Sequence, residues 1–251
     1  MRRISLLLMS AFLLSACAMV PVGETKMEKA SKINVQLGIG YYQRNNLEQA
    51  NAKLVKALRQ DPTSSQAHHA YAVLLNRLQE KEKAEQHFKK AIELDPENSE
   101  ALTNYGSFLC RERKYLDAEK MFLQAVENPL YRTPEVAYTN AAVCLRKLEA
   151  DDHAMKRIKK YLKKALAQKN NFPPALLNMA EVSIEEKNYD FARLYLERYH
   201  LVAPATPRSL WLSIENELAA GHPHKAAEFA QKLEQEFPDS AEYKKWQALE
   251  N

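Results

Sequence analysis

Apolar positions between residues 31 and 240 return at helical rather than alternating spacing, in paired runs, and the same small and large residue types recur about every 34 positions. Counting back from Pro62 gives Leu37, Gly38 and Tyr41 in one run and Ala50, Leu54 and Ala57 in the next. Counting back from Pro96 gives Tyr71, Ala72 and Leu75, then Ala84, Phe88 and Ala91. Each run predicts an amphipathic helix with a small residue where a neighbour must come close. Small side chains let helix axes approach to roughly 8–10 Å while the large ones fill the grooves between them. Proline cannot continue a helix, and it pushes the residue before it out of the helical region, so Asp61-Pro62, Asp95-Pro96 and Phe237-Pro238 read as the ends of pairs.

The middle of the chain departs from this period. Pro62 to Pro96 and Pro204 to Pro238 are each 34 residues, but Pro96 to Pro204 is 108, six more than three periods. The segment Ala101 to Gly106, continued by Ala118, Phe122 and Ala125, is echoed 36 residues later by Ala137 to Ala142, which places two extra residues near Asn128 to Pro134. The next echo, Ala175 to Ala180, comes 38 residues on. Ile158, Leu162 and Ala165 then take the second-helix positions if four residues are inserted, with Asp151, Asp152 and His153 marking a lengthened turn. Ala192, Leu196 and Tyr199, then Ala226, Ala230 and Leu233, complete the last two pairs. This pattern resembles the tetratricopeptide repeat (TPR). The resemblance implies an all-α, right-handed superhelical solenoid of six helix-turn-helix repeats at 31–64, 65–98, 99–134, 135–172, 173–206 and 207–240. A repeat cannot bury its apolar face alone, and Tyr243, Trp246 and Leu249 in 241–251 predict a C-terminal capping helix.

The N-terminus follows another logic. Arg2 and Arg3 precede an apolar run from Ile4 to Leu14, too short to span a bilayer, and then Leu14-Ser15-Ala16-Cys17. That ending resembles the lipobox of bacterial lipoproteins, against the plainer alternative of an ordinary cleaved signal. The resemblance implies a signal peptide at 1–16, acylation of Cys17 and a lipidated tether at 17–30. Ala18, where an Asp would redirect sorting, implies the outer membrane with the repeats facing the periplasm. More than one acyl chain gives stable anchoring. In that compartment nucleic acid is excluded as a partner despite a net charge of +4.

Apart from Cys17, the cysteines are Cys110 and Cys144, near equivalent positions in the first helices of adjacent repeats. An oxidising compartment favours a disulfide between them; two buried thiols are the alternative. The basic run Lys156 to Lys164 projects from one second helix, either as a solvated surface or as a dock for anionic lipid or an acidic partner. No Gly-rich phosphate loop, Gly-x-Ser-x-Gly elbow or His-Glu-x-x-His occurs, and His222-Pro223-His224 reads as a polar turn rather than a metal site. The expectation is a non-enzyme with no cofactor, no metal and no small-molecule substrate.

Binding is therefore expected on the concave face that first helices line in TPR arrays. The register puts Val35, Ile39, Tyr42, Gln66, His69, Val73, Asn76 and Arg77 there in the first two repeats. Thr103, Asn104, Ser107, Arg111, Thr139, Asn140, Val143, Arg146 and Lys147 follow in the central ones, and Glu181, Glu185, Trp211 and Glu215 at the far end. Mixed apolar and hydrogen-bonding positions suit an extended or helical peptide. Asn104, Asn140 and Asn178 recur at the sixth repeat position, where Asn supports the fold in the family or bonds a ligand backbone. Val35 and Ile39 stand where chaperone-binding TPRs grip a terminal carboxylate, so chaperone tails are not expected.

A lipobox followed by six such repeats in 251 residues resembles the type IV pilus biogenesis lipoproteins PilF and PilW. The more particular features are Asn104 to Cys110 and Asn128 to Cys144, since a generic repeat demands neither cysteines nor an insertion. The resemblance implies a pilotin that binds subunits of the secretin PilQ and promotes their multimerisation in the outer membrane. A periplasm-facing scaffold for cell-wall enzymes is the competing expectation.

Overall fold

The computed structural model describes residues 24–148 and 152–250; Cys17 and the leader lie outside them. The described residues form thirteen helices and no strand. Six pairs run in chain order: α1 (Lys26–Gln43) with α2 (Leu47–Gln60), α3 (Ser65–Arg77) with α4 (Lys81–Leu94), and α5 (Ser99–Arg111) with α6 (Tyr115–Ala125). Then come α7 (Pro134–Leu145) with α8 (Asp152–Gln168), α9 (Pro173–Glu185) with α10 (Tyr189–Val202), α11 (Pro207–Ala219) with α12 (Pro223–Glu236), and the single α13 (Ala241–Glu250). First helices touch the first helices of the next pair, while each second helix packs on its own partner and on the following first helix. The result is an all-α helical-repeat solenoid whose first helices form its inner wall.

The expected small-large contacts hold it together. Gly38 lies against Leu54 and Gly106 against Phe122, so closely that a Cβ would sit 2.6 Å and 2.8 Å from the nearest side-chain atom. The largest apolar cluster, with Phe88, Phe108 and Phe122 at its centre, runs from the second pair to the fifth. A second recurrence escaped the sequence reading: Ser31, Ser65 and Ser99 each donate to the carbonyl of the alanine 26 residues on, Ala57, Ala91 and Ala125, at 2.8–2.9 Å. Each bond staples the start of a first helix to the end of its partner. The turns within pairs also repeat, because Asn45, Gln79, Arg113, Lys187 and Gly221 all have positive φ. Only the last is glycine, so four turns carry the steric cost of a left-handed L-residue.

Several boundaries differ from expectation. Residues 26–30, assigned to the tether, are the first part of α1, whose Thr25 and Glu28 form a capping box that satisfies otherwise orphaned backbone donors. Asp152 and His153, read as a lengthened turn, lie in α8, which has 17 residues where α2, α4, α10 and α12 have 14. Most of that insertion therefore extends a helix; Asp151 lies outside the described residues. The other insertion is in the linker 126–133 and puts Tyr131 in the core. Leu37 is 44% exposed, with no helix before α1 among the described residues to cover it, and Leu249 is 63% exposed although Tyr243 and Trp246 of the same helix pack on α11 and α12. Cys110 of α5 and Cys144 of α7 are joined as a disulfide with their Cα atoms 5.8 Å apart.

Candidate functional site: the inner face of the solenoid

At the N-terminal end the inner face opens into a cavity of about 1110 Å³. Val35 and Ile39 of α1, with Gln66 and His69 of α3, meet there as the register required. Val35 is fully packed and forms floor rather than an exposed anchor, whereas Ile39 is 41% exposed. The rim is acidic: Glu24, Glu28, Asp61, Asp95, Glu97 and Glu100 surround it, with Lys32 the lysine among the lining residues. Sequence reasoning missed this rim, since Asp61 and Asp95 had been read only as helix stops. The signal was the acid before Pro62 and before Pro96.

His69 is held neutral. Burial pushes its imidazole down to about 4, and Asn104 of α5 donates its Nδ2 hydrogen to the ring Nε2 at 2.7 Å. Asn104 thus ties the second repeat to the third. Asn178 donates to the Pro174 carbonyl within its own helix, and Asn140 is half-buried, so the recurrent asparagine has no single task.

The middle of the face is closed rather than open. Thr103 and Thr139, assigned to the groove, are buried. Thr103 meets the Tyr131 hydroxyl at 3.0 Å, Ser107 donates back to the Thr103 carbonyl, and Thr139 donates to the Glu135 carbonyl at 2.7 Å. For Thr103 the physical reason is non-local: the inserted linker delivers the buried Tyr131 against it. Tyr42 and Val73 pack against apolar clusters, Val143 and Asn76 are half-buried, and Arg77, Arg111 and Lys147 stay exposed at helix ends outside both large cavities. Arg146 binds Glu185 at 2.6 Å and Glu181 at 3.4 Å, and Arg208 also pairs with Glu181. The expected change of sign along the groove is thus neutralised internally.

Beyond that ladder a second cavity of about 980 Å³ gathers Glu181, Glu185, Trp211 and Glu215. Ile184, Leu212, Leu218 and the α13 residues Lys245 and Leu249 complete it. Burial pushes the Glu215 carboxyl up against the opposing pull of a Trp211 hydrogen bond, and the Lys245 ammonium lies 5.5 Å from the Trp211 ring centroid. The contribution of α13 was not visible in the repeat register, because a capping helix has no repeat position. Outside this face, His222 of the His-Pro-His turn binds Glu217 at 3.1 Å and also meets Arg193. Burial raises the Glu217 carboxyl, but Arg193 and His222 more than offset it and hold it below its ordinary value.

Two family models described as tetratricopeptide repeat match residues 65–98 and 87–120. The type IV pilus assembly protein PilF of Pseudomonas aeruginosa is 32% identical over 221 residues, covering 88% of this chain and 86% of its own length. The solved P. aeruginosa PilF structure superposes with a TM-score of 0.80 over 89% of this chain and 99% of its own, at 32% identity. The crystal structure of PilW, described as a widely conserved type IV pilus biogenesis factor, gives 0.76 over 86% and 97% at 29% identity. An array of six helix pairs, the matched tetratricopeptide-repeat segments and this likeness over nearly the whole chain lead to one assignment: the protein belongs to the PilF family of TPR proteins of type IV pilus assembly.

Proposed function

We propose that the protein is a pilotin: an outer-membrane lipoprotein, acylated at Cys17 and facing the periplasm, that grips secretin subunits of the PilQ type and favours their multimerisation. Family membership supports the pilus role. The observation that carries the binding step is the N-terminal cavity, where the partly exposed Ile39 and the floor of Val35 sit inside a ring of six carboxylates. Such a site suits an extended segment with an apolar anchor flanked by basic residues, its side chains entering the cavity and its backbone meeting Gln66. The work is non-covalent, so the lipid carries the complex and the solenoid supplies the grip.

Deleting the gene should abolish secretin multimers in membrane extracts and remove surface pili; normal multimers and pili would sink the proposal. Ile39→Arg, at an exposed position that folding tolerates, should leave the protein abundant while multimers fall. Cys17→Ser should yield multimers in the wrong membrane if transport and assembly are separate activities.

A further inference from the structure

The outer side of the solenoid carries a second surface that the pilus reading does not use. From His153 to its end, α8 has six basic residues and no acid. Remove those six from the whole chain and the remaining 30 of its 36 bases face 32 acids, so the net positive charge of the protein is the property of this one helix. Lys159 is bound to Glu186 at 2.7 Å and Lys164 lies over the Tyr138 ring. Lys156, Lys160 and Lys163 are exposed and, among the described residues, have no carboxylate within salt-bridge distance.

The next second helix continues the same outward face with different chemistry. The positions 34 residues after Lys160 and Ala167 are Leu194 and Leu201 of α10, and these are 46% and 83% exposed. Phe191, one turn before Leu194, is 54% exposed. Two contacts fix α10 to the α8 side: Arg198 binds the Asn170 side chain in the turn after α8, and Lys159 reaches Glu186 just before α10. The patch is bounded: α12 has Glu228 and Gln235 at the matching positions, and on the α6 side these are Lys120, paired with Asp117, and Glu127 just after the helix.

We propose that the outer face of α8 and α10 docks on an anionic phospholipid surface, its lysines at the headgroups and Leu194 and Leu201 at the acyl boundary. Flexible ammonium groups on an open convex helix match a smeared negative potential rather than one shaped acidic partner. Exposed leucines beside them add burial that an acidic protein would not require. Acylation at Cys17 would keep a bilayer within reach: residues 18–25 precede α1, and eight extended residues span about 26 Å. The proposal takes from the pilotin reading only that a bilayer is near.

The test is therefore made without the anchor. Residues 24–251, leaderless and lacking Cys17, are suitable because they hold every described helix, and the solved relative matches 89% of this chain over 99% of its own. Co-sedimentation with phosphatidylcholine vesicles, with and without phosphatidylglycerol, should show binding only with the anionic lipid and loss at high salt. Lys156→Glu, Lys160→Glu and Lys163→Glu together should weaken it on the order of 100-fold, at about five-fold or more per lysine. Circular dichroism of that variant should be unchanged; Leu194→Gln with Leu201→Gln, which leaves every charge in place, should also weaken binding. Binding indifferent to phosphatidylglycerol, or equal in the wild type and both variants, would overturn the proposal. So would charge reversal that costs an acidic protein partner while vesicle binding persists. None of these outcomes bears on whether Cys17 is acylated, which membrane fractionation of the full chain decides.

Discussion

Breaking the Cys110–Cys144 bridge should destabilise the central repeats by an amount that its loop length sets. The two residues are 34 apart in sequence, on the first helices of adjacent pairs. Closing a loop of that size removes about 13 cal/mol/K from the unfolded chain in the chain-entropy model, or about 3.8 kcal/mol at 25 °C. In a chain of this length each kcal/mol moves the melting temperature by about 2–4 °C, so reduction should lower it by roughly 8–15 °C. The assay compares oxidised wild type, reduced wild type and Cys110→Ala with Cys144→Ala by calorimetry. Agreement between the last two excludes a packing artefact at Cys144, which is fully buried. Repeat arrays need not unfold as one unit, so hydrogen exchange supplies the location: protection should fall first in α5, α6 and α7. If oxidised and reduced forms melt within about 3 °C of each other, the entropy argument is wrong for this solenoid. The neighbouring helix contacts would then already hold the two repeats together in the reduced state.

Other consequences are smaller in scope. His69 is neutral in the folded protein down to about pH 4, whereas in the unfolded chain it takes up a proton near pH 6.5. Its contribution is therefore present above pH 6.5 and lost as the pH falls towards 4, about 2 kcal/mol between pH 7 and pH 5; urea titrations of wild type and His69→Gln should show the slope only in the former. Glu119 is buried and held by Arg157, with Nε to Oε1 at 3.1 Å, and by the Tyr161 hydroxyl at 2.6 Å. Arg157→Met should cost about 3–5 kcal/mol, and adding Glu119→Leu and Tyr161→Phe should restore most of it; a triple variant no better than the single one refutes the unpaired-charge account. Ser99→Ala should cost about 1 kcal/mol in chemical denaturation by leaving the Ala125 carbonyl without its 2.8 Å donor.

Helix pairing was legible because packing distance imposes the same small and large residues on every repeat: Gly38 with Leu54 and Gly106 with Phe122 are readable wherever the spacing is kept. What depends on a partner remote in sequence was not. Thr103 was assigned to the groove by position alone, and its burial follows from Tyr131, 28 residues on, in an inserted linker with no repeat register. The left-handed turn residues Asn45, Gln79 and Arg113 do not carry the usual glycine, so the repeated turn geometry had no letter to mark it. Insertion length was readable but its fate was not, because an extra stretch can lengthen a loop or a helix. In α8 the helix gained, and those residues lead into the basic face.

The inner face offers a cavity at each end rather than one open channel. A groove residue can serve a ligand only if its polar atoms are not already engaged, since a ligand must repay the bonds it displaces. In the middle repeats they are engaged: Thr103 with Tyr131, Thr139 with Glu135, and Arg146 with Glu181 and Glu185. Opening that stretch would expose a buried tyrosine and break a charge ladder before any new contact formed. We therefore expect binding at the ends, in an N-terminal cavity where Ile39 is open and a C-terminal one with Trp211 and the partly buried Glu215. Disrupting one end should leave binding at the other measurable, whereas a continuous groove would lose its ligand altogether. Ile39→Arg and Trp211→Ala, assayed singly and together against secretin fragments, distinguish the two: separate sites give losses in free energy that add. Strong coupling between residues this far apart would mean that one rigid segment spans the whole face and that the closed middle opens on binding.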